Sequence, residues 1–351
     1  MSIEFQNLKK TIRKTRPVGY KYPSGLSFSA TISAGAESAG GTKTTDGTNT
    51  VHTFTTSGVF KPAHSNTIEY LVIAGGGSGA ATGGGGGGAG GFRYNSGLPV
   101  LSGTDYTITV GAGGTASPTW VARGSSGSNS SINYPTLSPY SQANSGGYIE
   151  SEGGGCGGTG NFTGAPGSQR DGERGGCGGG GGGGPSDSPY IGVTNDGAAG
   201  ATNSNPGGSP TTQGFAGGRG LGHAPGTPLY GGGGGGIGGA GSDGGSPTPT
   251  AGGAGGVGVE YSISGVATYY GGGGGGGPNG AAGNGGGGAG STPSYIYAGT
   301  ANRGGGGGGG HPVHPRPPSG PYEPATSLGA SGGSGVVIIR YQTQEESYSI
   351  N

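Results

Sequence analysis

The chain has 351 residues, of which 101 are glycine, and its 16 basic and 16 acidic side chains leave no net charge. Only 9% of residues are charged, which argues against a self-repelling disordered chain. The glycines come in pure runs with no strict Gly-X-Y period, which excludes collagen.

Residues 1–25 hold Lys9, Lys10, Arg13, Lys14, Arg16 and Lys21 against Glu4 alone. Phe5, Leu8 and Ile12 form one weak helical stripe. This reads as a basic anchor peptide or a solvated tail, too short a charge block to argue for nucleic acid. No apolar leader region opens the chain, and no stretch reaches transmembrane length, so no membrane insertion is expected.

Residues 26–74 read as strands of a small β-sandwich: Leu26, Phe28, Thr31 and Ile32, then Val51–Thr55, Gly58–Phe60 and Ile68–Ala74. The last is rich in β-branched and aromatic residues and stops at Gly75. Residues 75–334 alternate glycine runs with loops, interrupted by an alternating strand at 105–110 that is expected to pair with the sandwich. Residues 335–351 supply a closing strand, Val336–Tyr341, and a tail.

The main runs begin at Gly83, Gly178, Gly231, Gly271, Gly285 and Gly304. Glycine loses more backbone entropy on ordering than any other residue. Such runs are therefore either linker or backbone packed on backbone. In the polyproline II conformation a chain makes about 3 residues per turn and has no internal hydrogen bonds. Its N–H and C=O groups point outward and can pair with identical neighbours, as burial requires. The expected fold is thus mainly β plus polyglycine II helices: a small β-sandwich base with an inserted bundle of packed helices and almost no α-helix.

The loops between runs collect the aromatic residues. Tyr190, Tyr230, Tyr269, Tyr270, Tyr295, Tyr297, His311, His314 and Tyr322 are the candidate receptor-binding residues, since tyrosine gives rigid amphipathic contact area. Packing over the bundle ends is the competing role for each. Cys156 and Cys177 are open to pairing or to standing as two free thiols.

No catalytic constellation emerges. Gly-x-Gly-x-x-Gly recurs trivially, no Gly-Lys-Ser/Thr exists, and Gly329–Gly333 matches a nucleophile elbow by composition alone. His311 and His314 lack further ligands nearby, so no metal is expected. Glu150 with Glu152, and Asp171 with Glu173, have no partner that would tune them for acid–base work. The chain is read as a non-enzyme without cofactors.

The strand segments His52–Phe60, Ile68–Gly77, Tyr106–Gly114 and Gly335–Tyr341 together resemble the glycine-rich domain proteins of tail fibres in marine tailed phages. The glycine region also resembles the polyglycine-helix sandwich of phage tail-fibre tip adhesins. The resemblance covers residues 50–342. It implies a virion surface protein whose loops bind a host receptor, a cell-surface glycan or an outer-membrane protein, alongside other tail or fibre proteins. Phage fibres are often trimers, so the resemblance points to a homo-oligomer, trimer or higher, although a glycine bundle can also close within one chain. The alternatives are a self-assembling structural protein of an extracellular filament or virion surface and, third, an ice-binding glycine-helix protein.

Overall fold

The computed structural model describes residues 37–119, 122–133, 148–160, 169–184, 213–221, 229–245, 250–312 and 328–344. The basic segment 1–25 and the expected strand residues Leu26 to Ile32 lie outside them. The described residues hold eleven strands and no α-helix. In chain order these are β1 (Thr42–Asp46), β2 (Asn49–Phe54), β3 (Gly58–Phe60), β4 (Asn66–Ile73), β5 (Phe92–Val100) and β6 (Tyr106–Thr109). β7 (Ser130–Asn133), β8 (Tyr148–Ser151), β9 (Val259–Tyr261), β10 (Thr268–Tyr270) and β11 (Val336–Gln342) complete the set.

A five-stranded sheet has the order β1-β2-β11-β4-β5, and a four-stranded sheet has the order β3-β6-β7-β8. The last strand does not close an edge. It enters the middle of the larger sheet, antiparallel to β2 through Val337–Phe54 and to β4 through Val336–Ile73. Its sequence explains this place. Val336 to Ile339 is an unbroken apolar run, which suits a strand covered on both faces.

Alternation along the strands divides those faces. Tyr70 and Val72 of β4 and Val337 and Ile339 of β11 join Phe54, Phe60, Tyr106, Ile108, Ile132 and Ile149 in one core, shared by the two sheets. Leu71 and Ile73 of β4 and Val336 and Ile338 of β11 face the other way. There they meet Ile237, Ile263 and Tyr270, from the glycine region and the β9–β10 hairpin.

The glycine runs bond to one another through backbone groups. The run at 84–91 is surrounded. Its N–H groups at Gly85 and Gly88 donate to Gly158 and Gly155, those at Gly86 and Ala89 to Gly232 and Gly235, and those at Gly87 and Gly90 to Gly307 and Gly304. Its carbonyls accept from three further segments: Gly180 and Cys177 donate to Gly86 and Ala89, Gly277 and Gly274 to Gly84 and Gly87, and Ala80 and Gly77 to Gly85 and Gly88. Each neighbour is thus addressed by every third residue.

Ala80, Ala89 and Cys177 find room in this ladder, but at most of its positions only glycine fits. A Cβ on Gly86 would run into the carbonyl of Gly274, and one on Gly87 into that of Gly77. Three runs also begin with φ near +66°, at Gly83, Gly271 and Gly304, and at the last two a Cβ would strike Ile237 and Ile73 of the second core. Glycine is required there by both conformation and space.

The ladders define two ends. At the sheet end, Gly90 donates to Gly304, Ile237 to Gly271 and Gly304 to Ser334. At the far end, Gly83 donates to Gly310, Gly160 to Ala81, Gly277 to Gly84 and Leu221 to Tyr230.

Candidate binding surface

The candidate residues do not gather at one place. Tyr295 and Tyr297 belong to the far end: Ser291 donates to Gly309 and Gly308 donates to the Tyr297 carbonyl, which puts both tyrosines beside the last residues of the 304–310 run. His311 follows that run directly; it is half-buried, with Nδ1 2.8 Å from the Pro312 carbonyl oxygen. Tyr269 is exposed but sits in β10 at the sheet end, where its carbonyl accepts from Arg303 Nη1 at 3.2 Å. Tyr190, His314 and Tyr322 lie outside the described residues.

Two of the expected contact residues are buried. Tyr270 alternates away from Tyr269 into the second core, against Ile237 and Ile263. Tyr230 is at the far end, yet its carbonyl accepts from Leu221 and its side chain is covered.

What remains is a compact exposed stretch. Tyr295 is 65% exposed, Ile296 46% and Tyr297 39%, and the two tyrosine rings lie 6.4 Å apart at 42°. Ile296 was not singled out from sequence, although its place between two tyrosines was the available signal. The backbone beneath is fixed: Thr292 N–H donates to the Tyr295 carbonyl, and Thr292 Oγ1 accepts from Tyr295 N–H at 3.0 Å. From Ser291 to Asn302 there is no charged side chain. The surface offers aromatic faces and hydroxyls on a pre-organised backbone, chemistry suited to recognition.

Phe215 and Val257 form separate exposed apolar points beside Gly235 and Gly239. Neither carried a signal in the sequence, since each is a single large residue among glycines.

Nucleophile chemistry has no support at the cysteines. Cys156 and Cys177 are buried free thiols. Burial, and for Cys156 the adjacent Glu173, push both up to about 12, so both stay protonated at neutral pH. Glu173 itself is occupied by Arg123 at 3.1 Å and accepts from Ser126 Oγ at 2.9 Å. Among the described residues no three His, Cys, Asp or Glu side chains converge as a metal site, and no helix is long and apolar enough to cross a membrane.

A family model described as a glycine-rich domain matches this chain twice, over residues 52–197 and over residues 178–342. No curated protein matches it.

Proposed function

The chain belongs to the glycine-rich domain family, and from that premise we propose that it is a virion tail-fibre or adhesin protein. In this reading the two sheets form a sandwich base, and the glycine runs form a bundle of polyglycine II helices that carries a host-binding surface at its far end. The three-residue recurrence of run-to-run hydrogen bonds supports the helical part, since that helix has about 3 residues per turn. The core shared by both sheets supports the sandwich.

The observation that carries the binding role is the uncharged Tyr295-Ile296-Tyr297 stretch, exposed on a fixed backbone away from the sheets. Its partner is a host cell-surface glycan or outer-membrane protein. The test is binding of labelled full-length protein to host cells, together with protection of those cells from infection. Tyr295→Ala and Tyr297→Ala, which leave the buried ladders intact, should each weaken binding about tenfold or more, as truncated aromatic hot spots do. Unchanged binding and unchanged protection by the double variant would overturn the assignment of this surface.

A second reading, a self-assembling structural protein, has one observation behind it. Among the described residues β1 is paired on one side only, by β2, and Thr42 to Thr45 are exposed. An open strand edge is a template for another chain. Sedimentation across a concentration series separates the readings: growth into long polymers favours assembly, and a fixed discrete particle favours the adhesin.

A further inference from the structure

The sequence contains two Asn-Gly pairs, Asn279-Gly280 and Asn284-Gly285, and both asparagines are exposed. The chemistry to which Asn-Gly is prone begins at the backbone nitrogen of the glycine. That nitrogen attacks the asparagine side-chain carbon, so the N–H must be free to leave its hydrogen bond. The two sites differ at this atom. Gly280 N–H donates to the Gly276 carbonyl at 2.9 Å, across the turn at 277–279. Gly285 N–H donates to nothing among the described residues, although its own carbonyl accepts from Gly272 at 3.1 Å.

The neighbourhoods reinforce the difference. Asn279 is held from both sides: its N–H donates to the Ser291 carbonyl, and the following residue is locked. Asn284 heads a turn in which Gly285 and Gly286 take φ of 99° and 94°. No hydrogen bond fixes its side-chain amide among the described residues, and the attacking residue has no side chain to hinder approach.

We infer that Asn284 is a site of spontaneous backbone modification through a succinimide, and that the fold protects Asn279 from the same reaction. The Gly285 nitrogen loses its proton to water and bonds to Asn284 Cγ. The Cγ–Nδ2 bond breaks and ammonia leaves. Water then opens the five-membered imide at either carbonyl, giving aspartate or isoaspartate. The net change is uptake of one water and release of one ammonia, with no oxidant or further reactant. Either product adds a negative charge to a chain that has none in net. Isoaspartate also lengthens the backbone at a turn whose carbonyls, Asn284 and Gly285, accept from Gly258 and Gly272. The modification would therefore loosen the outer 280–290 segment from its neighbours.

The test uses the folded full chain, aged in mildly alkaline buffer, digested and read by mass spectrometry at both sites, with isoaspartyl methyltransferase labelling to count isoaspartate. Asn284 should convert about tenfold faster than Asn279, the factor expected when one hydrogen bond must first be broken. In denaturant the two rates should become equal. Asn284→Gln should remove the fast-appearing acidic species on ion exchange. Equal rates in the folded chain, or a preference that survives unfolding, would overturn the proposal.

Discussion

The sheets and the glycine runs remove different things from water. In the base, large side chains are buried: Tyr70, Tyr106, Ile108 and Ile339 are each at most 1% exposed in the core between the sheets. Around the run at 84–91 hardly any side chain is present to bury, and what is withdrawn is the backbone itself, with its N–H and C=O groups paired between runs. The first region is held by apolar burial. The second is held by close contact and satisfied hydrogen bonds, which are costly to leave unmade. The two regions should therefore fail under opposite changes: the base when atoms are taken away, the glycine region when atoms are added.

The largest expected effect breaks the base. Ile339→Ala empties a fully buried position between the sheets, and loss of burial plus the residual cavity should cost about 4 kcal/mol. Chemical denaturation reads this directly. A change below about 1 kcal/mol would mean that the shared core collapses around the gap, beyond the range seen in such series. Next comes the opposite change in the glycine region. At Gly87 an added methyl would enter the Gly77 carbonyl and push apart the bonds to Gly307 and from Gly274. Overpacking of this kind should cost about 3 kcal/mol. The same substitution at Gly97, an exposed residue of β5 whose nearest obstacle is Asn95 Oδ1 at 3.8 Å, should be neutral within about 0.5 kcal/mol. Equal effects at Gly87 and Gly97 would break the comparison, because backbone entropy alone, and not packing, would then be at work.

The sequence made parts of this legible and hid others for physical reasons. β4 and β11 announce themselves because strands buried on both faces need long apolar runs. β5 does not, since Asn95, Ser96, Gly97 and Pro99 read as turn residues. It can be a strand because, among the described residues, it is an edge paired only with β4, where proline's missing N–H is tolerated. β7 and β8 are four residues each and contribute Ile132 and Ile149 to the core, too short a pattern to detect. The three-residue period was open to reading where residues other than glycine punctuate it. Gly111, Gly114 and Ser117 are buried while Ala112, Thr115 and Pro118 are exposed. Of the binding candidates, Tyr295 and Tyr297 hold their surface position, but nothing local distinguishes them from Tyr230 and Tyr270, whose burial depends on distant partners such as Leu221 and Ile237.

The smallest expected effect sharpens the comparison through pH. His52, on β2, is fully buried at the edge of the shared core, stacked on Tyr341 and edge-on to Phe60. Its Nδ1 lies 2.6 Å from the Gly40 carbonyl, which can only accept, so Nδ1 carries the proton and Nε2 accepts from the Tyr341 hydroxyl at 3.1 Å. Burial holds its pKa below the usual 6.5; the Gly40 hydrogen bond opposes this and Lys43 adds to it. The unfolded chain then binds the proton more readily than the folded one. Stability from this group is fully present above about pH 6.5, falls as the pH drops through that value, and levels off below the folded pKa. The run at 84–91 contains no titratable side chain and should not respond. The denaturation midpoint should thus decline between about pH 7.5 and pH 5, and His52→Gln, which keeps an amide donor and acceptor but cannot titrate there, should flatten that slope. A slope unchanged in the variant would place the acid sensitivity elsewhere. A flattened one would assign it to the sheet base, the region held together by side chains.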